Sequence, residues 1–270
     1  MLDIKHIDKI IGIARNAGHA IMDVYNNSHY DVKIKDDSSP LTTADIASNK
    51  IIIESLKKIT PKIPILSEEG SNIPFDIRSR WETFWLIDPL DGTKEFINKN
   101  GEFTVNIALI HKNEPIFGVI FAPAIEELYW GSQEFGSYKI DSSFSQQRMA
   151  VCKKQPKKLR IVTSRSHKNK ELENLLEKLE LVEIVSKGSS LKFCLVANGD
   201  ADLYPRLGPT SEWDTAAGDA IVRYAGGSTC DLSLKELIYN SKDCILNPNF
   251  LVSASEELKI NIVRLIQLST

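Results

Sequence analysis

Cysteine is scarce: Cys152, Cys194, Cys230 and Cys244 are the only four, and no two are spaced as a CxxC pair. No CxxC…HxxxH arrangement accompanies them, which argues against a zinc site, and four scattered thiols give no support for a disulfide framework. That usage points to the reducing cytosol. No apolar run approaches the ~18 residues that a spanning helix needs. The first ten residues mix charge into their apolar positions and do not read as a signal peptide. An excess of positive charge is also missing, since 33 Lys and Arg face 36 Asp and Glu for a net charge of −3. Sequence-independent nucleic-acid binding is therefore disfavoured. A small anionic ligand would have to be held by local geometry or a metal. Internal repeats and low-complexity segments are absent too.

What is present is enough apolar residue, 42% of 270, for a sizeable core. Ile4, Ile7, Ile10, Ile11, Ala14, Ala17, Ile21 and Val24 recur at helical steps, so residues 4–25 read as an amphipathic helix. Residues 31–35 alternate like a short strand. A second helix is expected to start at Thr42 or Thr43, either a plausible N-cap. Residues 63–66 and 84–87 read as buried strands. A hairpin follows, with strands 104–110 and 116–121 joined by a turn over 112–115. Shorter strands are expected at 128–130 and 137–140.

The polar stretch 153–158 is the best candidate boundary. It divides an N-terminal α+β part, residues 1–152, from a C-terminal α/β part, residues 153–270, in which strands and helices alternate. There, strands are expected at 159–163, 182–185, 202–204 and 251–253. Helices are expected around Leu172–Leu179, at 190–197 and 216–225, and at the C-terminus.

Two acidic segments each follow a buried strand: Ser67-Glu68-Glu69-Gly70 and Asp88-Pro89-Leu90-Asp91-Gly92-Thr93. Carboxylates at strand ends sit where a sheet meets a crevice. Pro89 fixes a turn that can bring Asp88 and Asp91 to one side, with the Leu90 carbonyl between them. Such an all-oxygen set suits Mg²⁺. Gly92 and Thr93 are placed to open a helix whose free N–H groups face an anion. A third acidic position, Asp214, lies between Trp213 and a run of small residues at an expected helix start. Taken singly, each has a plain alternative: an Asx/Pro turn, a solvated loop, a favourable residue in a helix first turn.

Together these segments resemble a known family. WLIDPLDGTKEF (residues 85–96) and WDTAAGDAIVRYAGG (residues 213–227) are similar to the two signatures of the inositol monophosphatase-like phosphatases. PLTTAD, ILSEEG, KEFINKNGEFTVNIALI, SRSH, LNPNF and the long stretch over residues 188–218 resemble the bacterial 3′(2′),5′-bisphosphate nucleotidases of that family. The likeness runs in order from about residue 30 to 253.

The resemblance implies a layered αβαβα sandwich of two subdomains with the active site between them. It implies two or three Mg²⁺ ions held by Glu68, Asp88, Asp91, Asp214 and the Leu90 carbonyl. Asp45 and Thr93, with Glu68, would be catalytic, Asp45 and Thr93 orienting the attacking water. Gly92, Thr93, Ser166, His167, Ser189, Lys192, Arg206 and Asp214 would contact a bisphosphate nucleotide. The implied reaction is removal of the 3′-phosphate from 3′-phosphoadenosine 5′-phosphate, and also from its sulfated form, with inhibition by Li⁺ and a place in sulfur metabolism. A monomer or weak homodimer is expected, in the cytoplasm, either free or peripheral on the cytoplasmic face of the inner membrane. Rival readings are the same chemistry on inositol monophosphate or fructose 1,6-bisphosphate, and a non-catalytic Mg²⁺ or nucleotide sensor. Residues 125–140 match no pattern recognised in the family.

Overall fold

A computed structural model describes residues 2–27, 32–34, 40–70, 73–154, 157–165 and 170–268. The chain forms helix α1 (Ile4–Asn26), strands β1 (Val32–Ile34) and β2 (Pro40–Thr42), and helix α2 (Thr43–Ile59). Next come β3 (Ile65–Ser67), α3 (Phe75–Arg78), β4 (Thr83–Asp91) and α4 (Thr93–Ile97). Five strands then run without an intervening helix: β5 (Thr104–His111), β6 (Glu114–Ala122), β7 (Glu127–Ser132), β8 (Gly136–Ile140) and β9 (Gln146–Arg148). The C-terminal part alternates β10 (Leu159–Ser164), α5 (Lys170–Glu177), β11 (Val182–Lys187), α6 (Leu191–Ala197), β12 (Leu203–Arg206) and α7 (Glu212–Tyr224). It closes with β13 (Ser228–Asp231), β14 (Phe250–Ser253) and α8 (Glu256–Gln267).

Strands β3 to β9 make a seven-stranded sheet in sequence order, antiparallel except for the β3–β4 pair. The second sheet has five strands in the order β11-β10-β12-β14-β13 and is mixed: β10 is parallel to both neighbours, β14 antiparallel to both of its own. The two-residue alternation of β4 sorts its side chains between two cores. Trp85 and Ile87 pack with Ile7, Ile10, Ala14 and Ile21 of α1 and Ile52 of α2. Phe84 and Leu86 face the other way, onto Phe193 of α6 and Ala216, Ala217 and Ile221 of α7. That middle core also takes Val162, Tyr204, Phe250 and Val252 from one face of the five-stranded sheet. The opposite face of that sheet, with Ile161, Leu203 and Leu251, is covered by Leu175 of α5 and Ile262, Val263 and Ile266 of α8. The layers are thus α1/α2, seven strands, α6/α7, five strands, α5/α8, the αβαβα sandwich that the resemblance implies.

Close packing between layers explains two glycines. A Cβ on Gly118 of β6 would lie 2.3 Å from the Ala217 carbonyl, and one on Gly218 of α7 would lie 2.4 Å from the Phe193 ring. The stretch 125–140, which fits no recognised pattern, forms the β7–β8 hairpin that extends the large sheet. The β5–β6 turn is tighter than expected. Only Lys112 and Asn113 span it, both with positive φ, as a two-residue hairpin requires.

Candidate active site

The Asp-Pro-Leu-Asp segment is not a turn beyond its strand, as expected, but an irregularity within β4. Asp88 pairs with Asn106 and Asp91 with Thr104, and the register shifts between them, so Pro89 and Leu90 bulge from the ladder. A proline has no N–H for the ladder, and the bulge absorbs that loss. Ser48 of α2 donates its hydroxyl to the Pro89 carbonyl at 2.7 Å. Leu90 N–H donates to Asp88 Oδ1 at 3.0 Å.

The neighbouring Glu68 is held from two sides. Its N–H donates to the Ile87 carbonyl at 3.1 Å. Asn49 of α2 donates to the Glu69 carbonyl at 2.9 Å and accepts from Ser67 Oγ at 2.7 Å. Asp214 arrives from the other side of the cleft at the first turn of α7, which starts at Glu212, earlier than the expected residue 216. There it accepts from Ser211 N–H at 3.0 Å in a capping box. Asn247, within the LNPNF stretch, donates to the Thr210 and Ser211 carbonyls and to Thr215 Oγ1, which ties down the entry to α7.

One carboxylate oxygen from each of Glu68, Asp88 and Asp214 lies within 4.8 Å of the others. Asp91 stands outside this trio and leans toward α6, accepting from Ser190 N–H at 2.6 Å and from Asn106 Nδ2 at 3.4 Å. Burial and the repulsion of Glu68, Asp91 and Asp214 push the Asp88 carboxyl well above its usual range. Burial and the charges of Asp91 and Glu68 do the same to Asp214. Asp91 rises to about 6 through burial, partly offset by Lys192 and by the bonds from Ser190 and Asn106. Converging carboxylates that cannot all ionise without a counter-charge fit a divalent cation, and an all-oxygen donor set favours a hard one.

A cleft of about 620 Å³ opens over these groups and is lined also by Leu90, Gly92, Thr93, Ser189, Lys192 and Arg206. Gly92, with φ of 88°, precedes the five-residue α4. Thr93 Oγ1 lies 3.5 Å from Asp45 Oδ1 and 3.4 Å from the Leu90 carbonyl. Asp45 also forms the capping box of α2, its Oδ2 accepting from Thr42 N–H at 2.7 Å and Thr42 Oγ1 at 2.6 Å. Ser189 has a buried hydroxyl with no hydrogen-bond partner among the described residues. Lys192 is not a solvated charge: it is 5% exposed, bonds to the Ser189 carbonyl and sits over the Tyr204 ring. Burial pulls its pKa down to about 8, against the attraction of Asp91. Arg206 lies on β12 itself rather than after it, and donates to Thr210 Oγ1 and the Pro209 carbonyl. Ser166 and His167 lie outside the described residues.

Sequence reasoning missed three of the residues that aim these groups, Ser48, Asn49 and Asn106, and did not give Ser190 its contact with Asp91. Asn106 and Ser190 lie inside quoted motifs, so the signal was present, but their partners are 15 and 99 positions away.

The inositol monophosphatase family model matches residues 3–268. The 3′(2′),5′-bisphosphate nucleotidase CysQ of Escherichia coli O6:H1 is 47% identical over 248 residues, which covers 92% of this chain and 99% of that protein. The enzyme of the same name from Buchnera aphidicola is 46% identical over 260 residues, covering 93% of this chain and 94% of its own. The crystal structure of CysQ from Bacteroides thetaiotaomicron superposes with a TM-score of 0.81 at 40% identity, over 92% of this chain and 97% of that one.

Proposed function

The chain belongs to the inositol monophosphatase family, and on that premise we propose that it is a phosphatase of 3′(2′),5′-bisphosphate nucleotides that removes the 3′-phosphate of 3′-phosphoadenosine 5′-phosphate, releasing AMP. Its sulfated analogue fits the same reading. The observation that carries it is the Glu68, Asp88 and Asp214 trio facing Lys192 and Arg206 in one cleft. The carboxylates are suited to hold a cation, and the two cationic side chains in the same cleft are suited to phosphate.

Mg²⁺ is the ion we assign, held by Glu68, Asp88, Asp91, Asp214 and the Leu90 carbonyl; when bound, it neutralises phosphate charge and acidifies water. The chain's own residues do the rest. Thr93 has one hydroxyl proton, shared between Asp45 Oδ1 and the Leu90 carbonyl. Its lone pairs remain to accept a hydrogen bond from water, and Asp45 can take up the proton that Thr93 passes on. Ser189 offers its unpartnered hydroxyl to the nucleotide. Arg206 keeps donors free for a second phosphate, since its guanidinium has five N–H groups. The seven-stranded sheet before residue 152 and the five-stranded sheet after it are consistent with two subdomains and with this cleft.

No helix among the described residues is long and apolar enough to cross a membrane. The peripheral membrane position has no support in the comparisons or in the fold.

The test compares phosphate release from 3′-phosphoadenosine 5′-phosphate, inositol 1-phosphate and fructose 1,6-bisphosphate, each with Mg²⁺ and with a chelator. Release from the first substrate, dependent on Mg²⁺ and faster than from the others, supports the proposal. Preference for either of the others, or full activity in chelator, overturns it.

A further inference from the structure

Asp91 accepts a hydrogen bond from Ser190 N–H, and the loop leading into Ser190 is held from across the cleft. Glu102 lies two residues before β5, in the lead-in to the large sheet. Its carboxylate accepts from Arg165 Nε at 3.1 Å and Nη2 at 2.9 Å, and from Gly188 N–H at 2.8 Å, with Lys187 Nζ at 3.5 Å. Arg165 directly follows β10, Lys187 ends β11 and Gly188 directly follows it, so every partner sits at or just past the end of a strand of the five-stranded sheet. The Glu102 side chain is only 12% exposed. Burial pushes its carboxyl up, but the bonds from Arg165 and Gly188 outweigh this and hold it below its ordinary value. It therefore stays ionised.

An exposed ion pair alone would signify little. Here a forked Arg contact and a backbone N–H converge on one carboxylate with little solvent access. The loop is also pressed against its partner. A Cβ on Gly188 would lie 2.8 Å from the Glu102 carbonyl oxygen and 2.8 Å from Glu95 Cγ. Two residues on, Ser190 donates its N–H to Asp91 and its hydroxyl to Asn106 Oδ1 at 2.7 Å. That bond turns the Asn106 amide so that Nδ2 also meets Asp91.

We propose that Glu102 is a positioning residue for the metal centre: it clasps residues 188–190 to the large sheet, so that Ser190 N–H and Asn106 hold Asp91 in its ligand orientation. The inference rests on the functional reading above. Glu102 is neither in the carboxylate trio nor in the lining of the cleft, and it acts through the loop.

The test is the rise in thermal midpoint on titration with Mg²⁺, which reads metal affinity without turnover, followed by Mg²⁺ activation of phosphate release. Removing an outer partner of a metal ligand weakens binding by about tenfold. Glu102→Ala should show that loss, and Glu102→Gln, which keeps an acceptor for Gly188 N–H, should recover most of it. Gly188→Ala, whose Cβ must push the loop away, should match Glu102→Ala and carries the same test should that variant not fold. Unaltered Mg²⁺ affinity in Glu102→Ala or Gly188→Ala, or equal losses in the Ala and Gln variants of Glu102, overturns the inference. Absence of any Mg²⁺ response in the unaltered chain overturns instead the functional reading beneath it.

Discussion

Ser48 Oγ donates to the Pro89 carbonyl at 2.7 Å across 41 positions of sequence, and both residues are buried. Helix α2 thereby pins the one irregular point of β4, the bulge that sets Asp88 and Asp91 apart. Ser48→Ala strands a buried carbonyl, which costs about 1–3 kcal/mol. Chemical denaturation should show that loss. Because the bulge also orients Asp88 and Asp91, the proposed ligands, kcat should fall by about tenfold, as for outer-shell changes at metal sites.

The carboxylate cluster makes metal-free stability depend on pH. A carboxyl whose folded pKa is raised binds its proton more tightly when folded. Its favourable contribution is present at low pH and is lost as pH rises through the folded pKa. For Asp91 that window runs from the ordinary 3.8 to about 6, and Asp88 and Asp214 shift in the same direction. Asp88→Asn removes one of the repelling charges. In chelator, the variant should therefore gain thermal stability over the unaltered chain as pH rises above the ordinary carboxylate value of 3.8, with the two converging below it. With Mg²⁺ the order should reverse, because the unaltered chain alone has its full ligand set. A pH-independent difference in chelator would count against mutual repulsion as the cause.

Much of the fold was legible because apolar periodicity is local. The stripe of Ile7, Ile10, Ala14 and Ile21 marks α1, and the cap at Thr42 belongs to its own helix, whereas the Ser211 cap of α7 was not read and that helix starts four residues before the expected 216. Strand β9 was not legible, since Gln146, Gln147 and Arg148 are all exposed and pair only along an edge. Nor was β13, whose Ser228–Asp231 segment has no alternation of apolar and polar residues. The candidate ligands could be named from motif and resemblance. Their aim could not, because Ser48, Asn49 and Ser190 act through hydrogen bonds to residues far along the chain. The burial of Lys192 was equally hidden.

Thr93 and Asp45 share one hydrogen bond, so their losses should not add. Thr93→Ala and Asp45→Asn should each lower kcat much more than they raise KM. The double variant should be little worse than either single one. Asp45→Asn carries a second effect, because Asp45 also closes the capping box of α2. Weakening such a cap costs about 0.5–2 kcal/mol. Thr93→Ala leaves the cap intact and should be nearly neutral for stability. Measuring kcat and unfolding free energy on the same four proteins separates the two roles. Strictly additive losses in kcat would show that the residues act independently.

Selectivity for a bisphosphate should rest on Arg206 rather than be shared equally with Lys192. Lys192 is buried, and Asp91 is its strongest attraction, so it serves the carboxylate wall of the cleft as well as any phosphate. Arg206 spends only part of its guanidinium on Thr210 and Pro209 and stands on β12. A bond between charged groups contributes about 1.5–3 kcal/mol, or roughly one to two decades in affinity. Arg206→Ala should therefore lower kcat/KM for 3′-phosphoadenosine 5′-phosphate by about that factor. Hydrolysis of adenosine 3′-monophosphate, which has no 5′-phosphate, should change much less. Lys192→Ala should slow both substrates, because it disturbs the surroundings of Asp91 whichever one is bound. The ratio of the two losses in each variant is the measurement. Equal losses for both substrates in Arg206→Ala would move the second phosphate away from β12 and toward Lys94, at the mouth of the same cleft.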